Sequence, residues 1–235
     1  MRKLSFLIFN TIGFLNNRSA LVLHRRNSVK LLPWVLVLLM LITVAGCEKN
    51  EDDPDGAELT TTELLERGWE NFEQSEFETA LEDFQTVTSR DASIVDAWNG
   101  AGWSSGRITG GLANALVYFN RALELDEIKY DALGGLAFAI YQDSQFDPVK
   151  MQTAIDKANL LLGAKPLWRF LHKQTLDFMD LKLMIAAAHY GLNEFDQSFN
   201  IVKENFNTSF EADLSTPAGR RELLEEIERL RLIYG

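Results

Sequence analysis

A small residue followed by a large aromatic one recurs along this chain at nearly constant spacing. Gly68-Trp69 is followed 34 residues later by Gly102-Trp103, and 35 residues after that by Ala137-Phe138. A second pattern, Ala-Leu-x-x-Phe, begins at Ala80 and again at Ala115, also 35 residues apart. Each period holds two apolar stripes at helical spacing, which is typical of helix–turn–helix pairs stacked side by side. The repeat therefore predicts an all-α fold.

These residues resemble the tetratricopeptide repeat (TPR), in which small residues let the two helices of a pair approach closely. The small positions of the first helices are Gly68, Gly102, Ala137 and Ala186, and those of the second helices are Ala80, Ala115, Ala154 and Ser198. The resemblance covers residues 60–206. It implies a right-handed α-solenoid of about four helix pairs.

The chain departs from the TPR pattern in three places. The proline that usually ends a repeat is replaced by Ala92 and Glu127, and the third unit carries extra residues around Asp147-Pro148. Between Gly163 and Asp177 lies an insertion that fits no repeat. Its Trp168, Phe170 and His172 alternate, which predicts an extended stretch lying over the helices.

Three helix starts are marked by capping residues. Thr60 with Glu63 forms a capping-box pattern, and Asp147-Pro148 places a cap before a helix that should run to about Leu162. Thr216-Pro217 does the same for a last helix that should end near Tyr234. This helix, within residues 207–235, should close the array with an apolar face. The predicted face consists of Leu223, Ile227, Leu230 and Ile233.

The N-terminal part, residues 1–46, has the pattern of a signal peptide. An uncharged run from Leu31 to Gly46 ends at Cys47, the one cysteine of the chain. Val44-Ala45-Gly46-Cys47 resembles a bacterial lipobox, which implies cleavage before Cys47 and lipid attachment to it. The alternative is an uncleaved membrane anchor, although residues 31–46 lie at the short end of the roughly 17–25 residues needed to span a bilayer. Residues 1–28 are unusual before a signal peptide, and we interpret them as a misassigned translation start.

Charge limits the classes of partner. Six of the 23 basic residues and none of the 34 acidic ones precede Cys47, so residues 47–235 carry a formal charge of −17. Such a charge opposes binding to nucleic acid. Residues 47–59 are acidic and contain one large apolar residue, Leu59, at their end, which predicts a flexible linker after the lipidated cysteine.

The sequence offers little for an enzyme, and we expect neither a cofactor nor a metal. Residues 47–235 contain His172 and His189 as their only histidines, and His189 lies in a helix that is predicted to pack within a repeat. The glycine-rich segment Gly106–Gly111 lacks the following lysine of a phosphate-binding loop, so we interpret it as a turn between two helices.

Aromatic residues occupy one slot in successive first helices. The candidate partner-binding groove consists of Trp69, Phe72, Trp103, Phe138, Tyr141 and Tyr190. In TPR arrays the first helices line the concave surface, so the resemblance implies that these rings face a groove, where aromatic side chains are effective contacts for a partner protein. The alternative is that the rings pack against the neighbouring repeat.

The aligned positions carry no basic clamp for an acidic peptide, so a hydrophobic or basic partner segment fits the groove better. We therefore expect a non-enzymatic scaffold or adaptor in a bacterial envelope. A lipid on Cys47 would hold it on the periplasmic or outer face of the outer membrane. The alternative function is a lipoprotein that binds a glycan or a small apolar molecule through Trp69, Trp103 and Phe138.

Overall fold

The structure, a computed structural model, describes residues 58–206 and 208–234, and the described chain is all-α. Cys47, the predicted signal peptide and most of the predicted linker lie outside these residues. The described helices are α1 (Thr61–Glu73), α2 (Phe77–Arg90), α3 (Val95–Arg107), α4 (Leu112–Leu125), α5 (Tyr130–Asp143), α6 (Pro148–Ala164), α7 (Phe178–Gly191), α8 (Phe195–Asn205) and α9 (Pro217–Tyr234).

The helices pack in the order in which they follow along the chain. Each helix from α1 to α7 contacts the next one, and α9 packs against α7 and α8. Contacts also join α1 to α3, α3 to α5, and α5 to α7. The first helices of successive pairs therefore lie side by side.

Phe84 of α2 shows how the first pair is held together. Its side chain is fully buried. A Cβ atom added to Gly68 of α1 would lie 2.8 Å from Cε1 of this ring, and one added to Gly100 of α3 would lie 2.4 Å from its Cζ. Both glycines are needed because no side chain fits between these helices and the phenyl ring.

The second pair repeats this arrangement at a distance of 35 residues. Phe119 of α4 is fully buried, like Phe84. A Cβ atom on Gly102 would lie 2.6 Å from Cδ1 of Phe119, and one on Gly135 would lie 2.3 Å from its Cζ. Each phenyl ring thus packs against its own pair and against the first helix of the next pair.

The other predicted small positions are buried as well. Ala80, Ala115, Ala154 and Ser198 have no exposed surface. Ser198 additionally donates a hydrogen bond of 2.8 Å from its Oγ to the carbonyl oxygen of Ala186, the small residue of the preceding helix. The hydroxyl group therefore fixes the helix contact that an alanine makes by packing alone.

The predicted helix starts are confirmed. Thr60 accepts a hydrogen bond from the backbone N–H of Glu63, whose carboxylate accepts one from the N–H of Thr60. Asp147 accepts from the N–H of Val149 at 2.9 Å, and Thr216 Oγ1 accepts from that of Gly219 at 3.0 Å.

The glycine-rich segment is confirmed as the turn between α3 and α4. Gly110 has a φ angle of 80°, a left-handed conformation that favours glycine.

One expectation for the last helix is wrong. Leu223, Ile227 and Leu230 are buried against α7 and α8, but Ile233 is 57% exposed. The helical spacing continues to the end of α9, but beyond Leu230 it is Tyr234 whose ring packs on this core, 5.4 Å from that of Phe206. Ile233 therefore lies outside the buried face.

Candidate functional site

Between α6 and α7 the chain forms a hairpin, which we define as residues 165–177. Arg169 and Asp177 face each other as an isolated antiparallel bridge. The N–H of Phe170 donates to the carbonyl oxygen of Leu176 at 2.9 Å, and the N–H of Phe178 donates to that of Trp168 at 2.8 Å. These bonds fix an extended backbone from Trp168 to Phe170, as the alternating pattern predicted, whereas Leu171 and His172 lie in a turn.

The extended backbone gives the hairpin an inner and an outer face. Trp168 and Phe170 are buried, and the side chain of His172 is only 16% exposed. Leu167 and Leu171, which lie on the outer face, are 78% and 67% exposed. The three inner side chains point at the first helices.

Phe170 is the centre of this contact and has no exposed surface. Its ring is stacked on Trp103 of α3, with centroids 4.3 Å apart and planes 22° apart. It meets Trp69 and Phe72 of α1 edge to face, at centroid distances of 6.2 and 5.9 Å. Both geometries are favourable for aromatic rings. One hairpin residue therefore covers rings from two first helices.

His172, at the tip of the hairpin, contacts α1. Its imidazole lies over the indole of Trp69 with centroids 3.7 Å apart and an angle of 3° between the planes. Its Nδ1 lies 2.9 Å from Oε1 of Glu73. Stacking and a polar contact thus act together on one side chain.

Trp168, at the root of the hairpin, contacts α5. Its Nε1 donates to Oδ1 of Asp131 at 2.8 Å. A Cβ atom on Gly134 would lie 3.0 Å from Cζ2 of the indole, so the glycine makes room for the ring. Burial raises the pKa of Asp131, and the hydrogen bond from Trp168 opposes this effect only in part.

Asp96 of α3 has the same role for Trp69 that Asp131 has for Trp168. Its Oδ2 accepts a 2.9 Å hydrogen bond from Nε1 of Trp69, and Lys129 lies 2.6 Å from its Oδ1. Burial would raise the pKa of Asp96, but the bonds from Lys129 and Trp69 outweigh it and lower the pKa. The two aspartates are 35 residues apart, so the repeat itself supplies an indole acceptor twice.

Charged groups are partly buried near Lys173, just after His172. Burial lowers the pKa of Lys173, as does the nearby Arg107, while Asp180 opposes them. Burial also lowers the pKa of Arg107 to about 10 and raises that of Asp180 to about 6. Asp180 is the N3 residue of a second capping box, in which its carboxylate accepts from the N–H of Asp177.

The six predicted groove residues fall into separate environments. Trp69, Phe72 and Trp103 surround Phe170, and Phe138 and Tyr141 are buried in the same core. Burial raises the pKa of Tyr141. Tyr190 belongs to a second core with α8 and α9, where its ring lies 5.2 Å from that of Phe195. Where the sequence predicted a groove open to a partner, the structure places the chain's own hairpin.

Three residues that bind the hairpin or the indole of Trp69 were not singled out from the sequence: Glu73, Asp96 and Asp131. The sequence also did not show that Phe170 covers the rings of the first helices. The spacing of Asp96 and Asp131 is a signal that could have identified both as repeat positions. The charge of Glu73 carries no such signal, because it is one of 34 acidic residues.

A cavity of about 810 Å³ lies beside the root of the hairpin. Its lining includes apolar and aromatic groups together with cations. The side chains that matter for its chemistry are Ile128, Tyr130, Leu167, Trp168, Lys129 and Lys165. The Nζ of Lys165 lies 5.2 Å from the ring centroid of Tyr130.

Two other kinds of site were sought in the described residues. No group of three or more His, Cys, Asp or Glu side chains there is placed to hold a metal ion. None of the described helices has the length and apolar character required to cross a membrane. His189 lies in α7, outside the hairpin, with its Nδ1 2.6 Å from Oε2 of Glu194.

Comparisons with known proteins do not assign this chain to a family. The chain matches no protein-family model, and no curated protein is similar to it in sequence.

Proposed function

We propose that this protein is a TPR-like scaffold that recruits a partner protein in a bacterial cell envelope. The observation that carries the proposal is the repeated packing of Phe84 and Phe119, each between glycines of two successive first helices. Contacts that recur every 35 residues are what a right-handed α-solenoid of TPR-like pairs requires. Such arrays present the aligned first helices as a binding surface.

The partner-binding surface in this proposal is the aromatic face of the first helices together with the hairpin that covers it. Trp69, Phe72 and Trp103 belong to this face, whereas Phe138 and Tyr141 are buried in the core and Tyr190 packs in the second core with α8 and α9. The formal charge of −17 after Cys47 favours a hydrophobic or basic partner segment over an acidic one and opposes nucleic acid. The proposed role is binding without catalysis, and it needs no cofactor.

The tether in this proposal is a lipid on Cys47, which would hold the protein on the outer membrane, on its periplasmic or outer face. Removal of residues 1–46 and acylation of Cys47 should both appear in the intact mass of membrane-extracted protein. A chain that still begins upstream of Cys47 contradicts the tether but leaves the scaffold proposal standing.

Site-specific photo-crosslinking in cells tests the scaffold proposal. A photoreactive residue at Leu171, on the exposed face of the hairpin, should form a crosslink to one discrete partner. The matched control is Val117 of α4, which is 63% exposed but belongs to a second helix. Equal crosslinking at both positions, or none at Leu171, contradicts a binding surface at the hairpin.

The cavity beside the hairpin supports a second candidate function, binding of a glycan or a small apolar molecule. Its volume of about 810 Å³ suits a small ligand, and Tyr130 and Trp168 supply aromatic surface there. This differs from the sequence-based version, which placed the ligand on Trp69, Trp103 and Phe138, because those three rings are buried. Tryptophan fluorescence during glycan titration should change, and Tyr130→Ala should abolish the change.

A further inference from the structure

We propose that the hairpin occupies the binding site of a partner protein and imitates the segment by which that partner binds. On this view the aromatic face of the first helices binds segments that, like residues 168–172, present aromatic side chains from a short extended stretch and the turn after it, with basic residues beside them, and such a segment displaces the hairpin. This inference rests on the proposed scaffold function and specifies the chemistry of its partner.

The first argument is that the three inner side chains contact three successive first helices. Trp168 bonds to Asp131 of α5, Phe170 stacks on Trp103 of α3, and His172 stacks on Trp69 of α1. Trp168 and Phe170 are alternate residues of extended backbone, so their side chains lie on the same face about 6.6 Å apart, and His172 follows in the turn after them. The face formed by α1, α3 and α5 is thus complementary to a segment that presents side chains i and i+2 from extended backbone and side chain i+4 from a turn.

The second argument concerns polar contacts on this face. Asp131 accepts the indole N–H at one end, and Glu73 contacts the imidazole at the other. Both polar groups are carboxyl groups, and the described chain between and around them is strongly acidic. The hairpin itself carries Lys165, Arg169 and Lys173, of which Arg169 pairs with Asp177 of the hairpin and Lys173 lies near Arg107 as well as Asp180. The net negative charge of the described chain, rather than a local ion pair, favours a basic aromatic segment as the partner.

The third argument is energetic. A segment tethered to its own binding site has an effective concentration in the millimolar range. If a free segment binds the open face with a Kd of about 10 µM, a tethered competitor at about 1 mM lowers its apparent affinity about 100-fold. With the hairpin in place, the protein should thus bind only partner segments that make the same contacts as its inner side chains. The hairpin would therefore discriminate against partners that lack those contacts.

A labelled synthetic peptide of residues 165–177 tests the proposal by fluorescence anisotropy. The opened variant has residues 166–176 replaced by a glycine–serine linker of equal length, so that α6 and α7 stay connected. Circular dichroism checks its helix content. We expect the opened variant to bind the peptide about 100-fold more tightly than the unaltered protein. An opened variant that keeps its helices and does not bind the peptide overturns the inference.

Two altered peptides separate the contacts. A peptide with Phe170→Ala should bind the opened variant at least about tenfold more weakly, because the stacked ring is lost. A peptide with Lys165, Arg169 and Lys173 replaced by Glu should lose about as much through repulsion by the acidic face. Equal binding of all three peptides overturns the inference.

A second protein variant keeps the test decisive if the opened variant does not fold. His172→Ala should raise the affinity of the otherwise intact chain for the peptide by about two- to tenfold, because one stacked pair holds the hairpin less firmly. A folded His172→Ala protein with unchanged peptide affinity counts against a displaceable hairpin.

Sedimentation of the unaltered protein tests the other possible occupant, a hairpin from a second copy. We expect the mass of one chain at all concentrations. Dimers that disappear in the opened variant would show that the hairpin binds a second copy of the same chain. That result would contradict the proposal that the partner is a different protein. If Leu171 crosslinks to a partner but the peptide does not bind, the scaffold proposal stands and this inference is wrong. If the peptide binds but no crosslink forms, this inference stands and the scaffold proposal is contradicted.

Discussion

The imidazole of His172 lies parallel to the indole of Trp69, with their centroids 3.7 Å apart, although 103 positions separate them in the sequence. This pair holds the tip of the hairpin on the first helix of the array. Since Trp69 is in turn bonded to Asp96, the stack connects the hairpin with α1 and α3.

His172→Ala should loosen the hairpin without unfolding the helices. An aromatic pair contributes about 0.5–1.5 kcal/mol beyond burial, so hairpin opening should increase by about two- to tenfold. The rate of tryptic cleavage after Arg169 or Lys173 measures this opening. His189→Ala is the matched control, because His189 is half-buried and bonded to Glu194 outside the hairpin. Equal acceleration in both variants would contradict a specific role for the stack.

Phe170→Ala should lower the free energy of unfolding by about 3–5 kcal/mol, the usual loss for a fully buried phenylalanine. Its neighbour Leu171 provides the control, since Leu171→Ala on the exposed face should change stability by at most about 0.5 kcal/mol. Urea denaturation measures both. Similar values for the two variants would show that the hairpin does not bury Phe170 in solution.

Gly135→Ala should destabilise the protein because the new Cβ would lie 2.3 Å from Cζ of Phe119. Overpacking of this kind costs about 1–3 kcal/mol. Gly163→Ala in α6 has no atom within 4 Å of its new Cβ and should instead be neutral or stabilise by up to about 1 kcal/mol. Thermal unfolding compares the two. A loss of stability in Gly163→Ala as large as that in Gly135→Ala would argue against the packing described for Phe119.

Asp180 should make stability fall as the pH rises. Burial raises its pKa from 3.8 to about 6 in the folded protein, so between these values the folded state binds more protons than the unfolded state. The stabilisation from the protonated form is complete below about pH 4 and is lost by about pH 7, up to about 3 kcal/mol in all. Relative to Asp180→Asn, the unaltered protein should lose this amount across that range in urea titrations.

Asp213 provides a control of opposite sign. Hydrogen bonds from Ser215 lower its pKa, so its contribution is present at neutral pH and is lost as the pH falls. Relative to Asp213→Asn, the unaltered protein should therefore gain stability as the pH rises. A pH dependence of the same sign for both aspartates would contradict the environment described for Asp180.

The sequence was sufficient for those features that are local or periodic. The glycine and alanine positions of the repeat, the caps at Thr60 and Asp147, and the extended stretch around Phe170 all follow from patterns within a few residues or one period. Each of these patterns is a property of one helix pair. Sequence reasoning therefore predicted the helices and their packing positions well.

The location of the hairpin could not be predicted in this way. Alternation shows that Trp168, Phe170 and His172 share a face, but not which helices that face meets. Glu73 and His172 are brought together across 99 residues, and no local rule connects them. Ile233 illustrates the opposite error, because a periodic pattern cannot show where the surface that it packs against ends.

The position of the hairpin in the sequence also determines when, during synthesis, the aromatic face of the first helices becomes covered. Chains emerge from the ribosome N-terminus first, and helices α1 to α4 can pair as soon as they are made. Trp69, Phe72 and Trp103 nevertheless keep exposed ring faces until residues 168–172 have been translated. The aromatic face of the earliest helices is thus covered only after α6 has been made. Until then the nascent chain presents an aromatic surface that another protein can bind before the hairpin does.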